Sequence, residues 1–139
     1  MTTRVLSGLV AGLVGLCLSG AAMAEDKVPL AENAHIRDSL VAGRVADVLR
    51  TECGSLQARM LLALQKLNDL RDYAVAQGYT EAEVKAFLKD KAQKDAMKAI
   101  AAEYLAKAGA VAGDEESYCR VGRDEIAKGT LAGSLLWSW

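Results

Sequence analysis

Apolar residues recur along this chain at spacings of three and four, and glycines and polar capping residues cut the pattern into helix-length pieces. Between Ala34 and Glu52, Ile36, Leu40, Val41, Val45, Val48 and Leu49 fall on one face, the stripe of a helix that packs along one side. Gly43 inside this stretch costs about 1 kcal/mol relative to alanine, and close packing by a neighbour is the expected reason for it. Gly54 then supplies a left-handed stop and Ser55 a cap for a second helix over about 56–77. Leu56, Met60, Leu64, Leu67 and Leu70 make its apolar stripe, with Leu61 and Ala74 alongside, and Gly78 ends it. Thr80 and Glu83 have the spacing of a capping box, so a third helix begins at Glu81 with Val84, Phe87 and Leu88 apolar. The charged run KDKAQKDAMK, 89–98, either carries that helix on or breaks before a fourth. Met97, Ile100, Ala101, Tyr104 and Leu105 restore an apolar face up to about Lys107, and Gly109 stops it. Asp114 caps a helix over 115–128, whose positive N-terminal end suits Glu115 and Glu116. Gly129 terminates it, and TLAGSLLWSW is left for a final turn or short helix.

Composition agrees with this pattern. The chain has one Phe and one Pro, Pro29, few β-branched runs and no segment that alternates as a strand does. The expected fold is all-α: an irregular bundle of about five helices in one domain, 34–139, preceded by an exposed arm, 25–33. The first 24 residues stand apart. Arg4 precedes an apolar stretch, Val5–Leu18, and Ala22-Met23-Ala24 leads into Glu25-Asp26-Lys27. This is the pattern of a secretory signal peptide cleaved after Ala24. The apolar stretch is shorter than the roughly 20 residues of a membrane-spanning helix. Lipid attachment at Cys17 is not expected, because Leu16 stands where a small residue is needed. The expectation is a periplasmic protein with no membrane span.

That compartment changes the reading of the cysteines. Cleavage removes Cys17 and leaves Cys53 and Cys119, an even count where disulfides form, so a bridge between them is expected. Other roles lack partners. There is no C-x-x-C, and the only histidine is His35, which leaves no Cys–His pair and too few donors for a zinc site. Met60 at helical spacing reads as core rather than as a haem ligand. The carboxylate pairs Asp69/Asp72 and Glu81/Glu83 stand among surface cations. No nucleophile elbow, phosphate loop, dinucleotide fingerprint or H-E-x-x-H occurs. A formal net charge of −1 supplies no basic stripe for nucleic acid. The chain is therefore expected to be non-enzymatic and without a cofactor or metal.

Binding residues are the remaining candidates. Trp137 and Trp139 cluster apolar surface at the C-terminal end, suited to a protein partner or to peripheral contact with a membrane interface. Arg59 flanks the stripe of the second helix. Lys91 and Lys94, in the charged run, read as a solvated face. The segments LRTECGSLQARM, LNDLRDYAVAQGYTEAEVKAFLKDKA and GDEESYCRVGRDEIAKGTLAGSLL together resemble the small DUF5333 proteins of Rhodobacteraceae-type alphaproteobacteria. The likeness covers about 34–136 and rests on Cys53, Arg59, Gly78-Tyr79, Tyr118-Cys119 and Gly122, whereas the terminal WSW departs from it. The family brings no assigned activity. Because its genes often neighbour those of NADH–quinone oxidoreductase, the resemblance implies an accessory role near that respiratory complex. The chain is accordingly expected to bind a protein, with Arg59, Tyr79, Trp137 and Trp139 as candidate contacts. The alternative is a small periplasmic acid-stress chaperone, whose carboxylates would neutralise at low pH and loosen the chain.

Overall fold

The computed structural model describes residues 27–139. The signal segment, its cleavage point and Cys17 lie outside the described residues. Among the described residues the chain is all-α apart from one short two-stranded ribbon. A single 3-10 turn, Leu30–Glu32, leads into α1 (Ala34–Glu52), followed by β1 (Leu56–Ala58), α2 (Met60–Ala76), α3 (Glu81–Lys89), α4 (Lys91–Ala108), α5 (Glu115–Lys128), α6 (Leu131–Ser134) and β2 (Leu136–Ser138).

The helix starts follow local chemistry. The Asn33, Asp90, Asp114 and Thr130 side chains each accept a first-turn amide of α1, α4, α5 and α6, the bonds that satisfy otherwise orphaned donors. Thr80 and Glu83 form the expected capping box at α3. Asp90 settles the charged run: it ends α3 in an extended conformation and caps α4 by accepting from Gln93 N at 2.9 Å.

α1 is the central helix. Its Val41, Val45, Ala46 and Leu49 are buried against Met97, Ala101 and Leu105 of α4, Cys119 and Val121 of α5, and Ala132, Leu135 and Leu136 near the C-terminus. A smaller cluster of Ile36, Ala74, Tyr79 and Val84 seals the end where α1 meets the α2–α3 corner. The disulfide joins Cys53, at the C-cap of α1, to Cys119 in α5 across 66 positions of sequence. Both cysteines are buried. Closing so long a loop restricts the unfolded chain by roughly 4 kcal/mol in the chain-entropy model.

Three local expectations are corrected. Gly54 does not take a left-handed conformation. α1 ends at an extended Cys53, and the Gly54 amide donates to the Glu115 carboxylate at 2.9 Å. Ser55 caps nothing, and its hydroxyl lies 3.2 Å from Cys53 Sγ. Helix two starts four residues late, because Leu56–Ala58 is a strand. It pairs antiparallel with the C-terminal residues in the register Leu56↔Ser138, Gln57↔Trp137, Ala58↔Leu136. Leu56 is thereby turned into the core beside Gly122, where an added Cβ would lie 2.2 Å from Leu56 Cδ1.

Candidate functional site

α2 is the exception in this fold. Of its 17 residues only Ala74 is fully buried. The apolar stripe read from the sequence is present, but it faces solvent: Leu61 is 85% exposed, Met60 59%, Leu64 55% and Leu67 44%. The helix is held at its two ends. At its start, Arg59 N donates to Leu135 O at 2.8 Å, continuing the β1–β2 ribbon. At its far end, Ala74 and the half-buried Tyr73 pack into the smaller core cluster. Between these anchors it stands off α1 and leaves an apolar groove of about 440 Å³. Ala46, Leu40 and Gly43 of α1 line one side, and Met60, Ala63 and Leu67 of α2 the other. Gly43 is corrected here: a Cβ at that position would meet nothing within 4 Å, so no neighbour requires the glycine. Its missing side chain widens the groove.

The groove's rim is polar and of mixed sign, with His35, Asp47, Arg50, Lys66 and Asp69. Asp47 bridges two cations of its own helix, Arg44 at 2.7 Å and Arg50 at 2.6 Å. The His35 ring lies over Tyr73, centroids 4.3 Å apart. The groove thus has an apolar floor and a polar rim that carries both signs of charge. Among the described residues no three His, Cys, Asp or Glu side chains converge, and no helix is long and apolar enough to cross a membrane.

A family of unknown function, DUF5333, matches residues 28–137. The chain belongs to the DUF5333 family. No curated protein and no solved structure matches it.

The four candidate contacts are not one site. Arg59 sits at the β1–α2 junction, its guanidinium 3.4 Å from Ser134 O. Trp137 stands opposite Gln57 on the outer face of the ribbon, with Trp139 beyond it, 71% exposed and edge-on at 5.2 Å. These three share one end of the molecule. Tyr79 lies past the other end of α2, about 25 Å of helix away. It is buried, and its hydroxyl donates to Val28 O. It anchors the N-terminal arm and is not presented to a partner. Lys27 completes that anchor by donating to Gly78 O at 2.8 Å and pairing with Glu83 at 3.2 Å. The Glu83 carboxyl is held below its ordinary 4.5, first by the Thr80 backbone amide and then by Lys27.

One buried polar cluster escaped the sequence reading. Glu125 of α5 is 3% exposed. Its carboxylate accepts from Tyr104 Oη of α4 at 2.7 Å and from the Thr130 hydroxyl that caps α6. The hydrogen bond to this carboxylate pushes the Tyr104 phenol up to about 12. The cluster ties three helices together and opens into no groove described above. A glutamate in the apolar phase of α5 was its only sequence signal.

Proposed function

We propose that this protein is a non-enzymatic, periplasmic protein-binding domain, and that α2 with the adjoining groove is its docking face. The observation that supports this most strongly is the exposure of Met60, Leu61, Leu64 and Leu67 on one helix. An apolar patch on the order of 500 Å² is at the upper end of what a monomer's surface shows. A partner's apolar helix laid along the stripe, with its side chains in the groove over Gly43, would cover this surface as helix-in-groove complexes do. The mixed-sign rim would set register rather than attract a highly charged partner.

The family resemblance makes the NADH–quinone oxidoreductase the first partner to test, in an accessory role on its periplasmic side. The test is affinity purification of the tagged chain from periplasm and from gently solubilised membranes, comparing wild type with Leu61→Glu/Leu64→Glu. Both leucines are exposed, so the variant is expected to fold. The proposal expects a stoichiometric partner with the wild type that the variant loses. Equal recovery with both chains overturns the docking face. A broad set of unfolded clients in place of one partner would favour the chaperone alternative.

A further inference from the structure

A second apolar region adjoins the groove over Gly43, sharing Leu40, Leu67 and Leu70 with it, and its far end differs in chemistry. One hollow of about 270 Å³ is formed between α1, α3 and α4, lined by Leu40, Phe87, Leu88 and Met97 together with Arg44, Lys94 and Lys98. All three charged side chains lining it are cations. A neighbouring hollow of about 400 Å³ runs between α2 and α3, over Ile36, Leu70, Ala74 and Val84. Leu40, Phe87 and Leu88 line both hollows. These three side chains are half-buried and form the sill between two adjacent hollows, a track whose α4 end is lined by cations alone among its charged side chains and whose α2–α3 end also carries Arg71, Lys85, Lys89 and Glu81.

Arg44 is the second observation. Its Nη1 donates to Asp47 at 2.7 Å. Its Nε is shut off from solvent and has no hydrogen-bond partner among the described residues. A buried donor left without an acceptor is costly, more so on a charged group. Lys94 makes no ion pair among the described residues, and Lys98 reaches Asp95 only at 3.9 Å. Asp47 and Asp95 are thus the carboxylates paired with Arg44 and Lys98, neither lines the hollow, and neither accepts from Arg44 Nε.

We infer that this track binds a single-chain amphiphile with an anionic head, a fatty acid or a lysophospholipid. The carboxylate or phosphate sits among Arg44, Lys94 and Lys98, and the acyl chain crosses Leu40, Phe87 and Leu88 into the α2–α3 hollow. Charge-assisted hydrogen bonds suit either head, and the apolar lining supplies the affinity for the tail. The cationic end shares only Leu40 with the groove over Gly43, whereas the α2–α3 hollow shares Leu40, Leu67 and Leu70 with it; the head-group contacts at Lys94 and Lys98 can therefore be tested whether or not α2 binds a protein.

The test is equilibrium binding of cis-parinaric acid to the purified protein by fluorescence, with oleate, lysophosphatidylglycerol, oleyl alcohol and inorganic phosphate as competitors. Saturable one-to-one binding is expected, displaced by oleate or the lysophospholipid and much less by the alcohol. Whichever acid competes at the lower concentration identifies the head. Lys94→Gln/Lys98→Gln, at exposed positions, should weaken the acids about tenfold or more and leave the alcohol unchanged. Lys91→Gln/Lys107→Gln, away from the hollow, should change neither. Absence of saturable binding, equal affinity for acid and alcohol, or indifference to Lys94→Gln/Lys98→Gln overturns the inference. Displacement by inorganic phosphate as effective as by oleate would reduce the site to an anion site and overturn the amphiphile.

Discussion

Replacing Gly133 with alanine tests how tightly the C-terminal segment is keyed to the core. A Cβ there would lie 2.0 Å from Glu125 O, 2.2 Å from Glu125 C and 2.6 Å from Ile126 N. All three are backbone atoms of α5 and cannot rotate away, so α6 must retreat by about 1 Å to restore tolerable contact. α6 carries the Thr130 cap on Gly133 N at 3.0 Å, the Thr130 bond to buried Glu125, and buried Ala132, and it leads directly into buried Leu135 and Leu136. Overpacking costs about 1–3 kcal/mol, a lost cap about 1 kcal/mol, and a loosened bond to a buried carboxylate a similar amount. The expected loss is about 3–5 kcal/mol, a large part of the net stability on the order of 10 kcal/mol of a small domain. Urea unfolding followed by circular dichroism and by Trp137/Trp139 fluorescence reads it directly. Two alanines calibrate the scale. Gly122→Ala meets a side-chain end, Leu56 Cδ1 at 2.2 Å, and should cost less, about 1–3 kcal/mol. Gly43→Ala meets nothing and should gain up to about 1 kcal/mol. A Gly133→Ala protein within 0.5 kcal/mol of wild type, or one more stable than Gly122→Ala, would refute the reasoning.

Other expectations are simpler to read. Cys53→Ser/Cys119→Ser should lose up to about 4 kcal/mol in urea, and the wild type should show no alkylation without reductant. The Tyr104 phenol, raised by its bond to Glu125, should stay protonated to about pH 12 in the folded protein. The stability from that bond is present below the ordinary value of 10 and is lost as pH rises through 12, which absorbance of tyrosinate follows. Glu83 has the opposite sign: its depressed carboxyl stabilises the arm and the α3 cap above 4.5, and this is lost as pH falls through the lowered value. The Thr80 amide shift in NMR should report that midpoint, and Lys27→Ala should move it upward towards 4.5.

What the sequence revealed was local. The Thr80–Glu83 box, Asp114 and the glycines after α4 and α5 act within one turn, so their signals sit in adjacent residues. The disulfide followed from a count of cysteines and an expected compartment. The β1–β2 ribbon did not, because Leu56 pairs with Ser138 from the other end of the chain, and three residues show no strand alternation. The stripe of α2 was visible, but amphipathicity says only that a helix has an apolar face, not that the same chain covers it. The cluster of Arg44 with Lys94 and Lys98 is also a tertiary fact. Lys94 is exposed, as its charged run implied; that it stands beside Arg44 shows only once α4 is laid along α1.

The measurement that bears most directly on the docking face is site-specific photo-crosslinking in living cells, with the cross-linking residue at Leu64 on α2 or at Ala99 on the exposed side of α4. A discrete heavier adduct from position 64, and none from position 99, is the predicted result. No adduct from either position, or the same adduct from both, would contradict a binding role for α2.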